Sequence, residues 1–409
     1  MTRRRLFLLE VLGRVLAVCA AVYVLPSVFA TDVGHFRGQA TCLWKPTGKA
    51  LGMCVNRHLL VSGGAGGEIN LPFRHLVWEF PPLPLVTLPL TAPFWGRLEV
   101  SQLLFGLAMA GVELAALVRL RRAWPEQRAA LTGWWTATVA PVALIGWFRF
   151  DFLPVLFATI ALVALVEGRR ATGSIVAGWL SKLWPAVLVA GFVVERRWRD
   201  AARAVAGVAV ATALWWAWSP SGFRTFLEFR AGKGLEVESF LGAVRLVVSG
   251  SKAQVVSGAW AVDAGGFGWF NSAMAVGLVA FALLCIWRAW RPGADVVALC
   301  GALTVATMVF SRIISAQYVV WMAPFVVVLA ARGNRRLGVL SLGAGWFTFA
   351  YLLVFDNYVV PGNRLAGSLM IVRNAFLLAI LIELFVAIRP RPSVDSNNRS
   401  LAVDGASLG

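Results

Sequence analysis

An aspartate at the end of the first hydrophobic run has the position best suited to chemistry. Asp32 follows the apolar stretch that ends at Ala30, and Arg3, Arg4 and Arg5 precede that stretch. Basic residues mark the cytoplasmic side of a membrane span. Asp32 should therefore lie at the extracytoplasmic surface, where a carboxylate can act as a general base and take a proton from an attacking hydroxyl. The alternative role for this residue is an N-cap or an ordinary loop acid.

Other ionisable residues are expected on the same face as Asp32. Such groups are costly at membrane depth, so their clustering on one face indicates a functional site. Glu79 is the second acid that could serve as the base, and the remaining candidates for substrate contact are His35, Glu238 and Gln317. Arginine and lysine suit phosphate, although each could instead anchor the protein at the membrane interface. The candidate phosphate ligands are Arg149, Arg230, Lys233 and Arg312.

The composition assigns these residues to a membrane protein. The 409 residues are 59% hydrophobic and only 14% charged, whereas about a quarter of the residues of a soluble protein are charged. Long apolar runs recur along the sequence, which predicts an all-α polytopic bundle of about ten to twelve transmembrane helices. A net charge of +18 would suggest nucleic acid in a soluble protein. Here the arginines fall between apolar runs, so we predict a lipid bilayer as the partner and no nucleic acid.

The apolar runs and the arginines between them predict one membrane domain over residues 1–392. Its segments 31–97 and 219–267 should form two extracytoplasmic loops that build the site, and 393–409 should be a disordered cytoplasmic tail. A span is expected over about 152–166, with polar residues beyond both ends.

The apolar run 173–194 is unusual because basic residues flank both of its ends. Lys182 and Pro185 interrupt it, so we predict a broken hairpin that enters and leaves on the cytoplasmic side. Lys182 itself is expected to have a structural role or to extend towards the inner face.

The cysteines and histidines of the first loop allow two further predictions. Cys42 and Cys54 share a loop on an oxidising side and are predicted to form a disulfide, with two free thiols as the alternative. The three histidines, His35, His58 and His75, fit no compact metal-binding motif. We therefore predict neither a metal nor another cofactor.

Five short stretches resemble motifs of glycosyltransferase family 87, also called DUF2029, which includes mycobacterial mannosyltransferases. The stretches are Asp32-Val33, Glu79 to Val86, Lys182 to Pro185, Phe229 to Ser239 and Ser315 to Pro324. They are spread over nearly the whole length, in the order of the family motifs. The fourth stretch departs most from the family pattern, since Arg230 replaces a histidine and Lys233 an arginine, while Glu238-Ser239 matches.

The resemblance implies a GT-C fold, with transmembrane helices and extracytoplasmic loops around the active site. It implies transfer of a sugar, with mannose expected, from a polyprenyl phosphate donor to a glycolipid or glycan acceptor in cell envelope biosynthesis. Asp32 would be the base, and inversion is the expected stereochemistry. The enzyme would lie in the cell membrane with its active site outside. The alternative is a transporter or flippase of lipid-linked sugars, which should carry ionisable residues near mid-membrane on matched broken helices.

Overall fold

The computed structural model describes residues 3–24, 31–43, 54, 72–73, 78, 80–92, 96–232, 234–249, 253–256, 259–262, 268–358 and 364–389. Seven helices among these residues are long and apolar enough to cross a membrane, and four shorter apolar helical segments accompany them. The prediction of an all-α polytopic membrane protein is therefore confirmed. The tail 393–409 lies outside the described residues.

Helices make up nearly all of the described chain. In order they are α1 (Arg3–Val24), α2 (Thr31–Leu43), α3 (Leu98–Ala123), α4 (Arg128–Trp147), α5 (Phe152–Val166), α6 (Thr172–Ser181), α7 (Val189–Val194), α8 (Trp198–Trp218), α9 (Pro220–Gly232), α10 (Phe240–Ser249), α11 (Gly268–Ala289), α12 (Val296–Val309), α13 (Ala323–Ala331), α14 (Arg335–Tyr358) and α15 (Arg364–Ala387). Three 3-10 segments, Leu83–Thr91, Trp184–Leu188 and Ala316–Met322, lie between them.

A small antiparallel sheet lies in the second predicted outer loop. Its strands are β1 (Leu235–Glu236), β2 (Gln254–Val256) and β3 (Ala259–Val262), and β3 is central. Leu235 pairs with Val262, and Val255 pairs with Trp260. The sheet and α10 share a hydrophobic core with residues of α14 and α15, so this loop is packed onto the membrane helices.

Helix ends that carry arginine gather on one face of the bundle, which we call the basic face. Its ion pairs join Arg119 to Glu167 at 3.4 Å and Arg332 to Asp295 at 3.3 Å. Helices α3, α5 and α13 therefore end at this face and α12 begins there, as the arginine pattern predicts. We call the opposite face, which carries Asp32, the site face.

The run 173–194 forms a broken helix, as predicted. Helix α6 ends before Lys182, whose backbone is extended, and Trp184–Leu188 leads into α7. Gly178 permits the chain to fold back, because a Cβ placed on it would lie only 2.6 Å from the Cβ of Pro185. Residues seven apart would be well separated along a continuous helix, so this contact identifies a hairpin.

Both ends of the hairpin lie at the basic face. Arg197, which follows it, donates hydrogen bonds to the backbone carbonyls of Leu165 at 3.3 Å and Arg169 at 2.8 Å. Because Arg169 precedes the hairpin, the chain enters and leaves on the same face, and this part of the prediction is confirmed. The assignment of that face to the cytoplasm stays a prediction.

Cysteine labelling should give the same sidedness for the two ends of the hairpin. Arg170 and Arg199 are exposed near those ends, and Arg224 is 81% exposed on α9. In a background without free cysteines, Arg170→Cys and Arg199→Cys should react with an impermeant maleimide only after the cells are opened. Arg224→Cys should react in intact cells. Opposite labelling of the first two variants would replace the hairpin with a full span.

Short helices occupy the buried centre of the bundle. Helix α5 has 15 residues and α12 has 14, so each is only about 21 to 23 Å long, against a hydrocarbon core of roughly 30 Å. One end of each lies at the basic face, next to Glu167 and Asp295. The other end of α5 is buried inside the bundle, where Asp151 is 1% exposed and Phe152 is fully buried.

Helix α2 is held near its C-terminal end and at its middle. A disulfide joins Cys42 to Cys54 with 5.8 Å between the Cα atoms, which confirms the predicted pair. Arg37 donates to the backbone carbonyl of Gly96 at 2.7 Å and to Oγ of Ser101 at 2.7 Å. These contacts hold α2 against the start of α3.

Removing this disulfide should destabilise the first outer loop. Because the bond closes a loop with a sequence separation of 12, replacing Cys42 and Cys54 by serine should cost about 2–4 kcal/mol of unfolding free energy. The measurement is thermal unfolding in detergent, with Cys285→Ser as the control because Cys285 is a free cysteine. Mass analysis of unreduced wild-type protein should find neither thiol of the pair alkylated, and alkylation of both would disprove the bond.

Candidate active site

The site face brings Asp32 against Arg149. Asp32 lies in the first turn of α2, and Arg149 lies in the turn between α4 and α5. The guanidinium Nε of Arg149 is 2.7 Å from Oδ2 of Asp32. The side chain of Arg149 is 27% exposed, and that of Asp32 is 35% exposed. This ion pair is therefore partly accessible from outside the protein.

A second carboxylate, Asp151, lies two residues beyond Arg149 and is buried. Its Oδ1 accepts hydrogen bonds from Nζ of Lys182 at 2.6 Å and from Nε1 of Trp321 at 2.8 Å. Lys182 comes from the break in the hairpin, and Trp321 comes from the 3-10 segment Ala316–Met322. One carboxylate thus joins three separate parts of the chain.

Stacked aromatic rings enclose this buried ion pair. Tyr318 stacks on Trp321 with 3.9 Å between ring centroids, because residues three apart in a 3-10 helix lie above one another. Trp184 stacks near Trp321, with 5.4 Å between centroids. The ammonium of Lys182 lies 4.3 Å from the centre of the Tyr318 ring, which is a favourable cation–π distance. These contacts attach the hairpin to the 3-10 segment Ala316–Met322.

A third carboxylate, Glu238, approaches the site from the turn between β1 and α10. Arg373 on α15 lies 3.2 Å from its Oε2 and also donates to its backbone carbonyl, which accepts a further bond from Asn374 at 3.3 Å. Burial raises the pKa of Glu238, and it outweighs the opposing attraction of Arg373 and Arg149 and a hydrogen bond with Tyr351. Glu238 therefore keeps its proton to a higher pH than a solvent-exposed glutamate does.

Arg149 is the cation common to the three carboxylates. Burial acts to lower its pKa, but the charges of Asp32, Asp151 and Glu238 outweigh burial and raise the pKa above its usual value. Residues from α2, the α4–α5 turn and the second outer loop are thus brought within electrostatic reach of one guanidinium.

Three further predicted residues lie on this side of the molecule. Gln317 is 4% exposed, and its side-chain oxygen has no hydrogen-bond partner within the described part of the chain. The backbone carbonyl of Arg312 accepts a hydrogen bond from the amide of Glu236 at 3.2 Å, which ties the turn after α12 to β1. His35 is exposed on α2, with its ring 6.3 Å from that of Phe36.

The remaining predicted residues cannot be located in the site. Glu79 and Lys233 lie outside the described residues, as do His58 and His75, and only the backbone of Arg230, within α9, is described. From the sequence, Asp151 was expected among the polar residues of the outer face but was given no specific role, and Arg373 was missed. The available signal for Arg373 was an isolated charge inside the last apolar run, where an ionisable residue is expensive.

Comparison with known proteins assigns the family. The model of glycosyltransferase family 87 matches residues 80–316, which is more than half of the chain. No curated protein matches the sequence. No solved structure matches it either. The matched region includes Arg149, Asp151, Lys182 and Glu238, while Asp32 lies before it and Gln317 directly after it. The chain therefore belongs to glycosyltransferase family 87 and is a multi-pass membrane glycosyltransferase.

Proposed function

We propose that this glycosyltransferase has a GT-C fold and transfers mannose from a polyprenyl phosphate to a glycolipid or glycan acceptor. The reaction takes place on the extracytoplasmic side of the cell membrane. One observation carries the proposal: the accessible carboxylate of Asp32 lies 2.7 Å from the guanidinium of Arg149. A carboxylate can activate an acceptor hydroxyl, and a guanidinium can bind a phosphate.

Asp32 is better suited to act as the base than Glu238. The Asp32 side chain is 35% exposed, whereas that of Glu238 is 14% exposed and is held by Arg373. A base must reach the attacking hydroxyl, and the more exposed Asp32 meets this requirement by its position.

In the proposed reaction Asp32 takes the proton from the acceptor hydroxyl. The hydroxyl oxygen then forms a bond to the anomeric carbon, and the bond between that carbon and the phosphate oxygen breaks. The electron pair leaves with polyprenyl phosphate, whose added negative charge Arg149 stabilises. One displacement inverts the configuration and requires no covalent intermediate.

Arg230, Lys233 and Arg312 stay candidates for further phosphate contacts, and His35 for contact with the acceptor.

The buried oxygen of Gln317 supports a substrate that carries hydroxyl groups. A buried acceptor without a partner costs about 1–3 kcal/mol. A sugar hydroxyl could donate to this oxygen and remove the cost. The seven helices long enough to cross a membrane also support a lipid-linked donor, because a polyprenyl chain would be held in the membrane beside them.

A transfer assay tests the proposal. Purified protein in lipid nanodiscs is incubated with radiolabelled polyprenyl phosphate mannose and a native lipid extract, and labelled products are separated. We expect a labelled glycolipid or glycan with the wild type and none with boiled protein or with a nucleotide-activated mannose. Transfer from the nucleotide sugar would disprove the lipid-linked donor. Movement of intact donor across liposomes without a labelled product would favour the flippase alternative.

A further inference from the structure

Arg149 lies among three carboxylates but forms an ion pair with only one of them. The charges of Asp32, Asp151 and Glu238 all act on its guanidinium, and Asp32 is the one in contact. Asp151 is the nearest along the chain, two residues away in the same turn. Nearness along the chain therefore does not explain why Arg149 pairs with Asp32. The difference lies in the other partners of each carboxylate.

The two carboxylates that do not contact Arg149 each have a cation of their own. Asp151 receives Lys182 at 2.6 Å and the indole N–H of Trp321 at 2.8 Å. Glu238 receives Arg373, whose side chain is only 1% exposed, at 3.2 Å. A carboxylate with a close cation and further hydrogen bonds has little remaining attraction for a second guanidinium.

We propose that Lys182 and Arg373 are positioning residues that occupy Asp151 and Glu238 and thereby keep Arg149 available to Asp32 and to the donor phosphate. The inference rests on the proposed function, since it assigns the phosphate to Arg149. Neither Lys182 nor Arg373 touches the substrate. Each acts by determining which carboxylate Arg149 contacts.

The cost of an unpaired buried carboxylate supplies the physical reason. Removal of one partner from a buried ion pair leaves an uncompensated charge that must find another counterion. Without Lys182, the carboxylate of Asp151 would retain only Trp321, and the guanidinium of Arg149 is the cation carried by the same turn. Arg149 would then be drawn into the interior and away from both Asp32 and an incoming phosphate.

The test compares a single variant with a charge-balanced double variant. Lys182→Met should weaken binding of polyprenyl phosphate to protein in nanodiscs by about tenfold. Lys182→Met with Asp151→Asn removes both charges, and the asparagine oxygen can still accept from Trp321. The double variant should bind within about threefold of the wild type. Arg373→Met, alone and combined with Glu238→Gln, makes the same comparison at the pair of Arg373 and Glu238. If one single variant does not fold, the other pair still tests the proposal.

A matched buried ion pair elsewhere provides the control. Glu113 on α3 accepts hydrogen bonds from Arg14 on α1 and from the indole of Trp135 on α4, so its surroundings resemble those of Asp151. It belongs to no part of the site. Arg14→Met should lower the thermal midpoint and leave affinity for polyprenyl phosphate unchanged.

The outcomes separate this inference from the proposed function. If wild-type protein does not bind polyprenyl phosphate, the proposed donor is wrong. If wild-type protein binds it and the double variants are as weak as the single variants, or the single variants bind like the wild type, the positioning role is wrong. Recovery in the double variants supports it.

Discussion

Replacing Asp32 by asparagine should lower the turnover of sugar transfer by on the order of a hundredfold or more. Asparagine keeps the size of the side chain, and its amide oxygen can still accept a hydrogen bond from Arg149. It cannot take up the proton that the acceptor hydroxyl releases. Because only the base is lost, affinity for polyprenyl phosphate should stay close to that of the wild type. Turnover at saturating donor and direct binding of polyprenyl phosphate are the two measurements.

Glu228→Gln is the matched control for this variant. Glu228 is 60% exposed and pairs with Arg224 on the surface of α9. Its replacement should leave transfer unchanged, because an exposed ion pair contributes little. If Asp32→Asn retains near-normal transfer, Asp32 is not the base, and Glu79, the second acid identified in the sequence, becomes the leading candidate.

Helix α5 illustrates how much of the bundle the sequence could predict. Its predicted bounds of 152–166 agree with the observed helix Phe152–Val166. Polar residues bracket a continuous apolar run there, and this is the strongest signal that a membrane sequence offers. The same signal, read at both ends of 173–194, predicted the hairpin. Neither result needs information about distant parts of the chain.

The second outer loop could not be predicted in this way. Helix α10 and the three strands are short, and their core is completed by Tyr351 and Met370 on distant helices. A Cβ on Gly242 would lie 1.9 Å from the carbonyl oxygen of Glu236, so α10 also depends on a close approach to β1. Such contacts join residues far apart in sequence and leave no local periodicity.

The role of Lys182 shows a similar limit. The sequence located a break at this residue and left two roles for it, and of these the extension towards the inner face is wrong, whereas a structural role agrees with its buried ion pair. The break is the point where the hairpin turns back, and the ammonium group pairs with Asp151 at the far end of α5 from the basic face. Basic flanks fix where a hairpin begins and ends, but its depth depends on the partner that its tip finds inside the bundle.

Replacing Arg149 by methionine should cost about 2–5 kcal/mol of transition-state stabilisation, or roughly thirtyfold to a few thousandfold in kcat/KM. Methionine fills similar volume but removes the cation that contacts Asp32 and that we assign to the donor phosphate. Both KM for the donor and kcat should therefore change. Arg149→Lys should be intermediate, because an ammonium keeps the charge but loses the planar, two-pronged geometry that suits phosphate.

Arg37→Met separates this effect from a loss of folding. Arg37 lies on the same helix as Asp32, but its guanidinium is bound to the Gly96 carbonyl and to Ser101, so its removal should lower the thermal midpoint without raising KM for the donor. Combining Arg149→Met with Asp32→Asn should cost much less than the sum of the single effects, because residues that act as one unit are not additive. Fully additive losses would show that the two residues work independently, and the ion pair would then be structural.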